Sequence, residues 1–538
     1  ALIIKVTCRP SEVSSPSPLT APRLPSLGRM RSHYSIPTRR CAFSGASISF
    51  HGGQGASIRK RCVPVAAAAA SQFPSASTSS QDPADVPELV SWVHQRNGLV
   101  HGATLANLAG RDGAAGWGLK ASQDVEKGHR LILLPPSLHL TYGPQDDPRL
   151  LSLIDKVPKD LRGAKLALQL LAQRVRGSDS PFAEYIAHLP KGVSGIPMFF
   201  SKRAIQLIDY PPVSEQVKKR CKWLYDFSQQ VLSKLPGTPE DPFGGVPIDI
   251  NALGWAMACV TSRAFRTRGP AQPSAMLPLI DMANHSFEPN AEVLPISGGA
   301  LGLFAKRKIA AMEPLLLSYG NLGNDFLFMD YGFIVPDNPY DSVQLRFDIG
   351  LLQAGCVITN VTDSQGAPLD LSPTPWRLAA LSELRLHGPD ANLELTLGAQ
   401  QRRTNNNPAS AGVASDDFTK KGEQQHTEEL LDGRLLAAAR IMVAKHEGEV
   451  AGRSADRLCA VDKPLSRENE LAALRVVAGV VAVALSNFGT TLDQDLALLD
   501  GRVPEVADAE GASAESLTGQ QGLLEPLTSE DEVLAVRF

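Results

Sequence analysis

Three short segments of the chain hold the residue types best suited to binding or catalysis. Residues 115–119 place glycines around one aromatic, a pattern that lets two backbones approach closely. Asn284 and His285 end an apolar stretch, where their polar groups need partners if they are buried. Tyr319 and Tyr331 each precede a glycine, as aromatics often do at strand ends. Taken singly, each segment is more typical of structure than of catalysis.

The elements that must position these segments alternate between β-rich and helical stretches. Residues 87–98 are typical of a short helix, and residues 105–142 of short strands separated by glycines. Apolar residues recur at spacings of three and four within 148–260, which predicts a helical insert. A second β-rich stretch follows at 277–319. The clearest strand signals lie at residues 131–134, 300–305 and 315–318.

The chain from residue 341 onward has the pattern of a helical region. Its best amphipathic candidates are residues 428–444 and 468–485. Before them lies a polar segment, 400–426, which contains three consecutive asparagines. Because this composition cannot build a packed core, we expect the segment to be a disordered surface insertion.

The order of the three segments, with a helical insert between the first and the second, resembles the SET-domain methyltransferases. The resemblance is to the branch that includes the Rubisco large-subunit methyltransferases, and it covers about residues 87–345. Residues 465–470 and 487–495 look like that branch's carboxy-terminal substrate-binding domain. The resemblance implies an α+β protein, with a mostly β SET domain at 87–340 that carries the helical insert. An all-α carboxy-terminal domain would follow at 341–538.

The resemblance also implies a protein-lysine N-methyltransferase that uses S-adenosylmethionine. The family's threaded crossing would place the segment with Asn284 and His285 beside the one with Tyr319. Tyr319 matches the family's active-site tyrosine, which would orient the amine rather than act as a base. Asp281 and Tyr331 match positions that line the lysine channel. The positions that would contact the cofactor are Ala115, Gly116, Trp117, Arg263, Asn284, His285 and Phe333.

The charge distribution sets the amino-terminal residues apart from the rest. Residues 1–68 hold ten Lys and Arg against one acid, which leaves 43 basic and 55 acidic residues and a net charge of −12 elsewhere. A negative surface of that kind disfavours nucleic acid as a partner. Residues 1–80 are rich in Ser, Pro, Arg and Ala, as disordered organelle transit peptides are. The Val-Pro-Val-Ala run and the Ser and Pro content favour the chloroplast stroma over the mitochondrion.

Other partners are not indicated by the sequence. A membrane span needs ~18 or more uncharged apolar residues, and the run at 476–485 is too short. The four cysteines beyond the leader lie far apart and form no Cys-x-x-Cys pair, so neither a metal site nor a disulfide framework is expected. We expect a monomer whose partner is a protein that presents a lysine.

Three alternatives remain open for the function. The acceptor protein could be the Rubisco large subunit, fructose-bisphosphate aldolase or another stromal protein. Relatives within the branch methylate histidine or lysines of ribosomal proteins. A third hypothesis is a SET scaffold without activity that binds a plastid partner, because Ala115 and Trp117 stand where the family more often has an acid and a leucine or arginine.

Overall fold

The computed structural model describes residues 86–108, 116–159, 161–193, 195–266, 274–362, 366, 369, 371–386, 392–397, 431–502 and 525–538. The expected leader at 1–80, the Ala115 position and the polar insertion at 400–426 lie outside these residues. The interpretations that depend on them therefore stay predictions, as do the domain boundaries.

Short strands make up the first region. They are β1 (Leu99–Val100), β2 (Ala103–Asn107), β3 (Trp117–Ala121), β4 (Arg130–Leu134), β5 (Ala264–Phe265), β6 (Ala275–Met276), β7 (Asn284–His285), β8 (Ala291–Pro295), β9 (Leu301–Ala305) and β10 (Leu316–Leu317). An antiparallel sheet has the order β1-β4-β9-β8, and β2 pairs with β3. In β9 a Cβ on Gly302 would lie 3.2 Å from the Ile132 carbonyl oxygen and 2.9 Å from Ile296, so a side chain has no room there.

Helices precede the sheet and interrupt its strands. They are α1 (Val86–Gln95), α2 (Pro148–Asp155), α3 (Arg162–Val175), α4 (Ala183–Ala187), α5 (Lys202–Leu207), α6 (Pro211–Gln230) and α7 (Ile250–Arg263). The carboxylates of Asp147 and Asp249 cap α2 and α7 by accepting from backbone N–H groups of their first turns. α3 packs against α7 through buried apolar side chains. The predicted helical insert is confirmed, and α7 ends at Arg263.

A parallel pair of very short strands joins the two parts of the candidate site. In β7 and β10 Asn284 lies opposite Leu316, and His285 lies opposite Leu317. Asn290, which is fully buried, stabilises this pairing because its side-chain oxygen accepts from the Leu316 N–H at 2.8 Å. The expected placement of the Asn284–His285 segment beside the segment that leads into Tyr319 is therefore present.

The turn after β10 carries the remaining aromatic side chains. It consists of α8 (Asn324–Phe326) and a π-helical turn at Leu327–Tyr331, which ends at Gly332 in the left-handed region (φ 77°). The Arg220 side chain on α6 holds this turn, because it donates to an Asp330 carboxylate oxygen at 2.5 Å and to the Met329 carbonyl oxygen at 3.3 Å.

The carboxy-terminal region is mainly helical but is not all-α. Its elements are β11 (Asp341–Arg346), α9 (Ile349–Ile358), α10 (Pro375–Glu383), β12 (Asn392–Leu397), α11 (Gly433–Val443), α12 (Ala455–Cys459), α13 (Arg467–Ser486), α14 (Leu492–Leu499) and α15 (Glu530–Arg537). The antiparallel pair β11–β12 corrects the all-helical expectation. Pairing between distant segments leaves little local signal. α9 crosses α13 closely, because a Cβ on Gly479 would lie 2.2 Å from the Gly355 carbonyl oxygen.

α13 is the one helix in the described part of the chain that is long and apolar enough to cross a membrane. The uncharged apolar run at 476–485 is only part of this helix, because Arg475 directly precedes it, and α13 reaches this length only with charged residues included. The expectation that the chain has no membrane span therefore stays a prediction. Length and composition alone are weak evidence for a span. Ala473, Val476 and Val480 are buried against α9 and α11 in the core of the carboxy-terminal region, and about a third of the apolar part of the helix is buried.

Candidate active site

Tyr319 follows β10 and is held at both its backbone and its side chain. Its hydroxyl donates to the Ala283 carbonyl oxygen at 2.8 Å, and its N–H donates to Nδ1 of His285 at 3.1 Å. Burial raises the pKa of Tyr319 to about 12. The phenol is therefore neutral near pH 7. Because its proton is committed to Ala283, the oxygen offers its lone pairs to another group.

Tyr331 and Phe333 extend the aromatic surface around Tyr319. The rings of Tyr319 and Tyr331 are stacked, with centroids 4.8 Å apart and an interplanar angle of 21°. Phe333 lies 6.1 Å from Tyr331 and 6.4 Å from the His285 ring, measured between centroids. Burial also raises the pKa of Tyr331. The three rings thus form an apolar wall with neutral hydroxyls.

His285 and Asn284 bring buried polar atoms to the same place. Burial lowers the pKa of His285 to about 4, so the imidazole is neutral near pH 7. Since Nδ1 accepts from Tyr319, we assign the proton to Nε2. Nε2 of His285 and Nδ2 of Asn284 are buried, and neither has a hydrogen-bond partner among the described residues. Two donors are therefore left for a ligand, since unpaired buried polar groups are rare and need an explanation.

The glycine-rich segment meets Asn284 through Gly118. A Cβ at Gly118 would lie 2.8 Å from Nδ2 of Asn284 and 2.5 Å from the Leu108 side chain, so only glycine fits. Gly116 has a positive φ of 91°, and its carbonyl oxygen accepts from the Leu108 N–H at 2.8 Å. The Trp117 side chain is exposed, at 43%. The backbone of this segment therefore lies beside Asn284.

Arg263 and Asp281 form a second polar group next to the aromatic wall. Nη1 of Arg263 donates to the Asp281 carbonyl oxygen at 3.1 Å and lies 3.7 Å from Oδ2 of the same residue. The Tyr185 hydroxyl donates to that Oδ2 at 2.5 Å. Burial raises the pKa of Asp281 to about 6, against the opposing effects of the Arg263 charge and the Tyr185 hydrogen bond. Nε of Arg263 and Oδ1 of Asp281 have no partner in the described part of the chain.

The structure brings most of the candidate residues together and adds two. Gly118 and Tyr185 make direct contacts with Asn284 and Asp281, and the sequence analysis assigned neither of them to the site. The Asp281 side chain is fully buried and contacts Arg263, so it is not exposed to an incoming lysine in this structure. Its assignment to the lysine channel therefore stays a prediction. Within the described residues, no three His, Cys, Asp or Glu side chains are grouped to hold a metal ion.

Comparison with known families identifies two domains in the chain. Residues 116–320 match the SET domain family. The chain contains a SET domain. Residues 372–523 match the family described as Rubisco LSMT substrate-binding, so a domain of this second family follows the SET domain. The expected combination of the two is therefore confirmed.

Curated relatives of this SET-domain chain are distant and partial. Ribosomal lysine N-methyltransferase set10 of Schizosaccharomyces pombe is 27% identical over 43% of this chain and 42% of the relative. Actin-histidine N-methyltransferase of Drosophila melanogaster is 22% identical over 44% and 47%. The chloroplastic Rubisco large subunit N-methyltransferase of Pisum sativum is 25% identical over 57% and 64%. The chain spans less than half the length of the first two relatives.

A solved structure has the same fold as this SET-domain chain. The SET domain of LSMT bound to methyl-lysine and AdoHcy is 18% identical, with a TM-score of 0.51 over 85% of this chain and 90% of that one. At this identity the likeness establishes the fold, and the chemistry has to be argued from the residues.

Proposed function

We propose that this protein is an S-adenosylmethionine-dependent methyltransferase that transfers a methyl group to a lysine of another protein. The observation that carries the proposal is the β7–β10 pairing, which sets the neutral Tyr319 hydroxyl beside the unpaired donors of Asn284 and His285. The SET-domain match supports the same reaction.

The residues at the site fit S-adenosylmethionine. Its adenine and amino-acid parts carry hydrogen-bond acceptors, and the buried donors of Asn284, His285 and Arg263 are unpaired among the described residues. Arg263 is the residue suited to hold a carboxylate, because a guanidinium forms charge-assisted hydrogen bonds. The absence of a side chain at Gly118 lets the backbone of β3 lie against Asn284. When bound, the cofactor supplies an electrophilic methyl group on a sulfonium.

The aromatic wall favours the neutral form of the incoming lysine. A free lysine with a pKa of ~10.4 is almost entirely protonated near neutral pH. The rings of Tyr319, Tyr331 and Phe333 exclude water, which disfavours the ammonium form and lowers its pKa. A dedicated base is then not required. The lone pairs of the Tyr319 oxygen accept from the amine and orient it, an effect of positioning.

The proposed acceptor is a protein of the chloroplast stroma, of the Rubisco large-subunit or fructose-bisphosphate aldolase type. Three observations support a plastid target: the composition of residues 1–80, the match of residues 372–523, and the chloroplastic relatives of Pisum sativum and Nicotiana tabacum. A histidine or a ribosomal-protein lysine is the second candidate, favoured by the relatives from Drosophila melanogaster and Schizosaccharomyces pombe.

Labelled S-adenosylmethionine and a stromal extract test the proposal. Incubation with the purified protein is expected to label one stromal protein, and mass spectrometry of the labelled band then identifies the residue. A Tyr319→Phe sample made in parallel is the control for methylation by other enzymes. Labelling of histidine, or of ribosomal proteins alone, would overturn the plastid-lysine assignment. A protein that binds the cofactor poorly and labels nothing would favour a SET scaffold without activity.

A further inference from the structure

Tyr185 brings a buried hydroxyl from the helical insert to the candidate site. It lies on α4, its side chain is fully buried, and its partner Asp281 is 96 residues away in the sequence. The hydroxyl donates to Oδ2 of Asp281 at 2.5 Å. Hydrogen bonds from neutral donors to a carboxylate are short and strong, so this contact fixes the orientation of the Asp281 side chain.

Asp281 transmits that orientation to Arg263. Oδ2, the oxygen that Tyr185 binds, is also the one 3.7 Å from Nη1 of Arg263. The Asp281 carbonyl oxygen accepts from the same Nη1 at 3.1 Å. Within the described residues, Nε of Arg263 has no partner. The guanidinium is therefore placed by Asp281 while part of its hydrogen-bonding capacity is still available.

The backbone before Asp281 is strained and needs support from its neighbours. Leu279 has a φ of 67° and a ψ of −47°, a positive-φ conformation that residues with a side chain rarely adopt. Such strain persists where the surroundings determine the conformation, and it is common at functional sites. Tyr185 supplies one such constraint, because its hydroxyl binds Asp281, which lies two residues after Leu279.

We infer that Tyr185 is a positioning residue for the cofactor: its hydroxyl fixes Asp281, and Asp281 holds Arg263 where it can bind the carboxylate of S-adenosylmethionine. This inference rests on the proposed function. It makes the helical insert part of the cofactor site, since α4 supplies a residue on which the geometry of Arg263 depends.

Loss of the hydroxyl also changes the titration of Asp281. The titratable groups that face this carboxylate are Tyr185 on α4, Arg263 and Cys259 on α7, and Tyr319 after β10. The Tyr185 hydrogen bond lowers the pKa of Asp281, so its removal raises that pKa. Cofactor affinity should fall at low pH as Asp281 becomes protonated, and we call this fall the acid limb. In the variant the acid limb should therefore move to higher pH, which the mere loss of packing would not cause.

The test compares Tyr185→Phe with wild type and with Tyr210→Phe by calorimetric titration with S-adenosylmethionine across pH. Tyr210 is the matched control, because its hydroxyl accepts a 2.7 Å hydrogen bond from the Gln344 N–H away from the candidate site. We expect Tyr185→Phe to weaken cofactor binding about tenfold, to shift the acid limb upward and to leave kcat at saturating cofactor within about twofold. Tyr210→Phe should bind as wild type does.

The outcomes separate the inference from the proposed function. Wild-type protein that binds no S-adenosylmethionine overturns the proposed function and this inference with it. Wild-type binding with an unchanged Kd and pH profile in Tyr185→Phe overturns the inference alone. If Tyr185→Phe does not fold, Asp281→Asn replaces it: loss of the acid limb supports the inference, and retention of the limb contradicts it.

Discussion

Two arginines, a fully buried one in the carboxy-terminal region and a partly buried one in the SET region, use their hydrogen-bonding groups differently. Arg440 in the carboxy-terminal region is fully buried, and its Nε and Nη2 each contact the Glu470 carboxylate at 2.7 Å. Its Nη1 donates to the carbonyl oxygens of Leu458 and Ala460, at 2.6 and 2.9 Å. Every nitrogen of this guanidinium is paired, and the residue ties α11 to α12 and α13.

Arg263 in the SET region has fewer partners. Within the described residues, the hydrogen bonds from Arg263 to the neighbouring segment come from Nη1 alone, to the Asp281 carbonyl oxygen and the Met282 sulfur. The Asp281 carboxylate lies 3.7 Å from Nη1. Its Nε is buried without a partner among the described residues. A saturated buried ion pair contributes to the fold, whereas an incompletely paired one is suited to bind a ligand.

The largest effect is expected at Arg440. Arg440→Met leaves the Glu470 carboxylate and two carbonyl oxygens without their donor, and removal of one partner of a buried pair costs about 3–5 kcal/mol. Chemical denaturation should show that loss, with cofactor affinity unchanged in the folded protein. Arg263→Met should cost much less stability and should weaken cofactor binding. Equal losses of stability would break the comparison.

Tyr319→Phe should reduce turnover far more than stability, which loses only the hydrogen bond to the Ala283 carbonyl oxygen, about 0.5–1.5 kcal/mol. The ring remains stacked on Tyr331, but the oxygen that orients the amine is lost. We expect kcat to fall about 100-fold or more, a loss typical of one preorganised polar group in an active site. The Kd for S-adenosylmethionine, measured by calorimetry, should stay close to that of wild type. Unchanged turnover would refute the orienting role.

Gly118→Ala tests the contact between β3 and Asn284. The added methyl would lie within 2.8 Å of Nδ2 of Asn284, and overpacking of this kind costs about 1–3 kcal/mol. Both the melting temperature and the cofactor affinity should fall. Gly192→Ala is the control, because no heavy atom of the described residues, apart from its own chain neighbours, lies within 4 Å of its added Cβ. Two variants with the same affinity would mean that Gly118 serves only the fold.

The smallest effect expected is in the pH dependence of stability, because the contributions of Asp281 and His285 largely cancel. The folded pKa of Asp281 is about 6 against an ordinary 3.8, so its contribution to stability is present at low pH and is lost as pH rises through about 6. The folded pKa of His285 is about 4 against an ordinary 6.5. Its contribution to stability is therefore present above pH 6.5 and is lost as pH falls through about 4. The two oppose each other in the same window.

Single substitutions should reveal the two opposing terms. Asp281→Asn removes the contribution of Asp281 and leaves that of His285. As pH is lowered from 6.5 to 4, the stability of this variant relative to wild type should therefore fall. His285→Gln leaves the Asp281 term and should give the opposite trend. Urea denaturation at several pH values measures both. Parallel pH profiles for the two variants and wild type would contradict the assigned pKa shifts.

The sequence predicted the elements whose signals are local. The strand expected at 300–305 is Leu301–Ala305, and the helix expected at 468–485 is Arg467–Ser486, because alternation and helical periodicity are read within a few residues. The β7–β10 pairing was predicted only from the resemblance to a family, since two-residue strands carry no periodicity of their own.

Contacts between distant segments could not be predicted in this way. Tyr185 reaches Asp281 across 96 residues, and nothing in the sequence around Tyr185 distinguishes it from an ordinary core tyrosine. The β11–β12 pair was missed for the same reason, because its two strands come together only in the folded chain. Gly118 was noted as a possible close approach, but its partner, Asn284, became apparent only from the structure.

A crystal structure of the protein with S-adenosylhomocysteine tests the central claim most directly. We predict that the ligand pairs the buried donors of Asn284, His285 and Arg263 and lies beside the Tyr319 ring. A ligand bound elsewhere, or one that leaves these three residues unpaired, would contradict it.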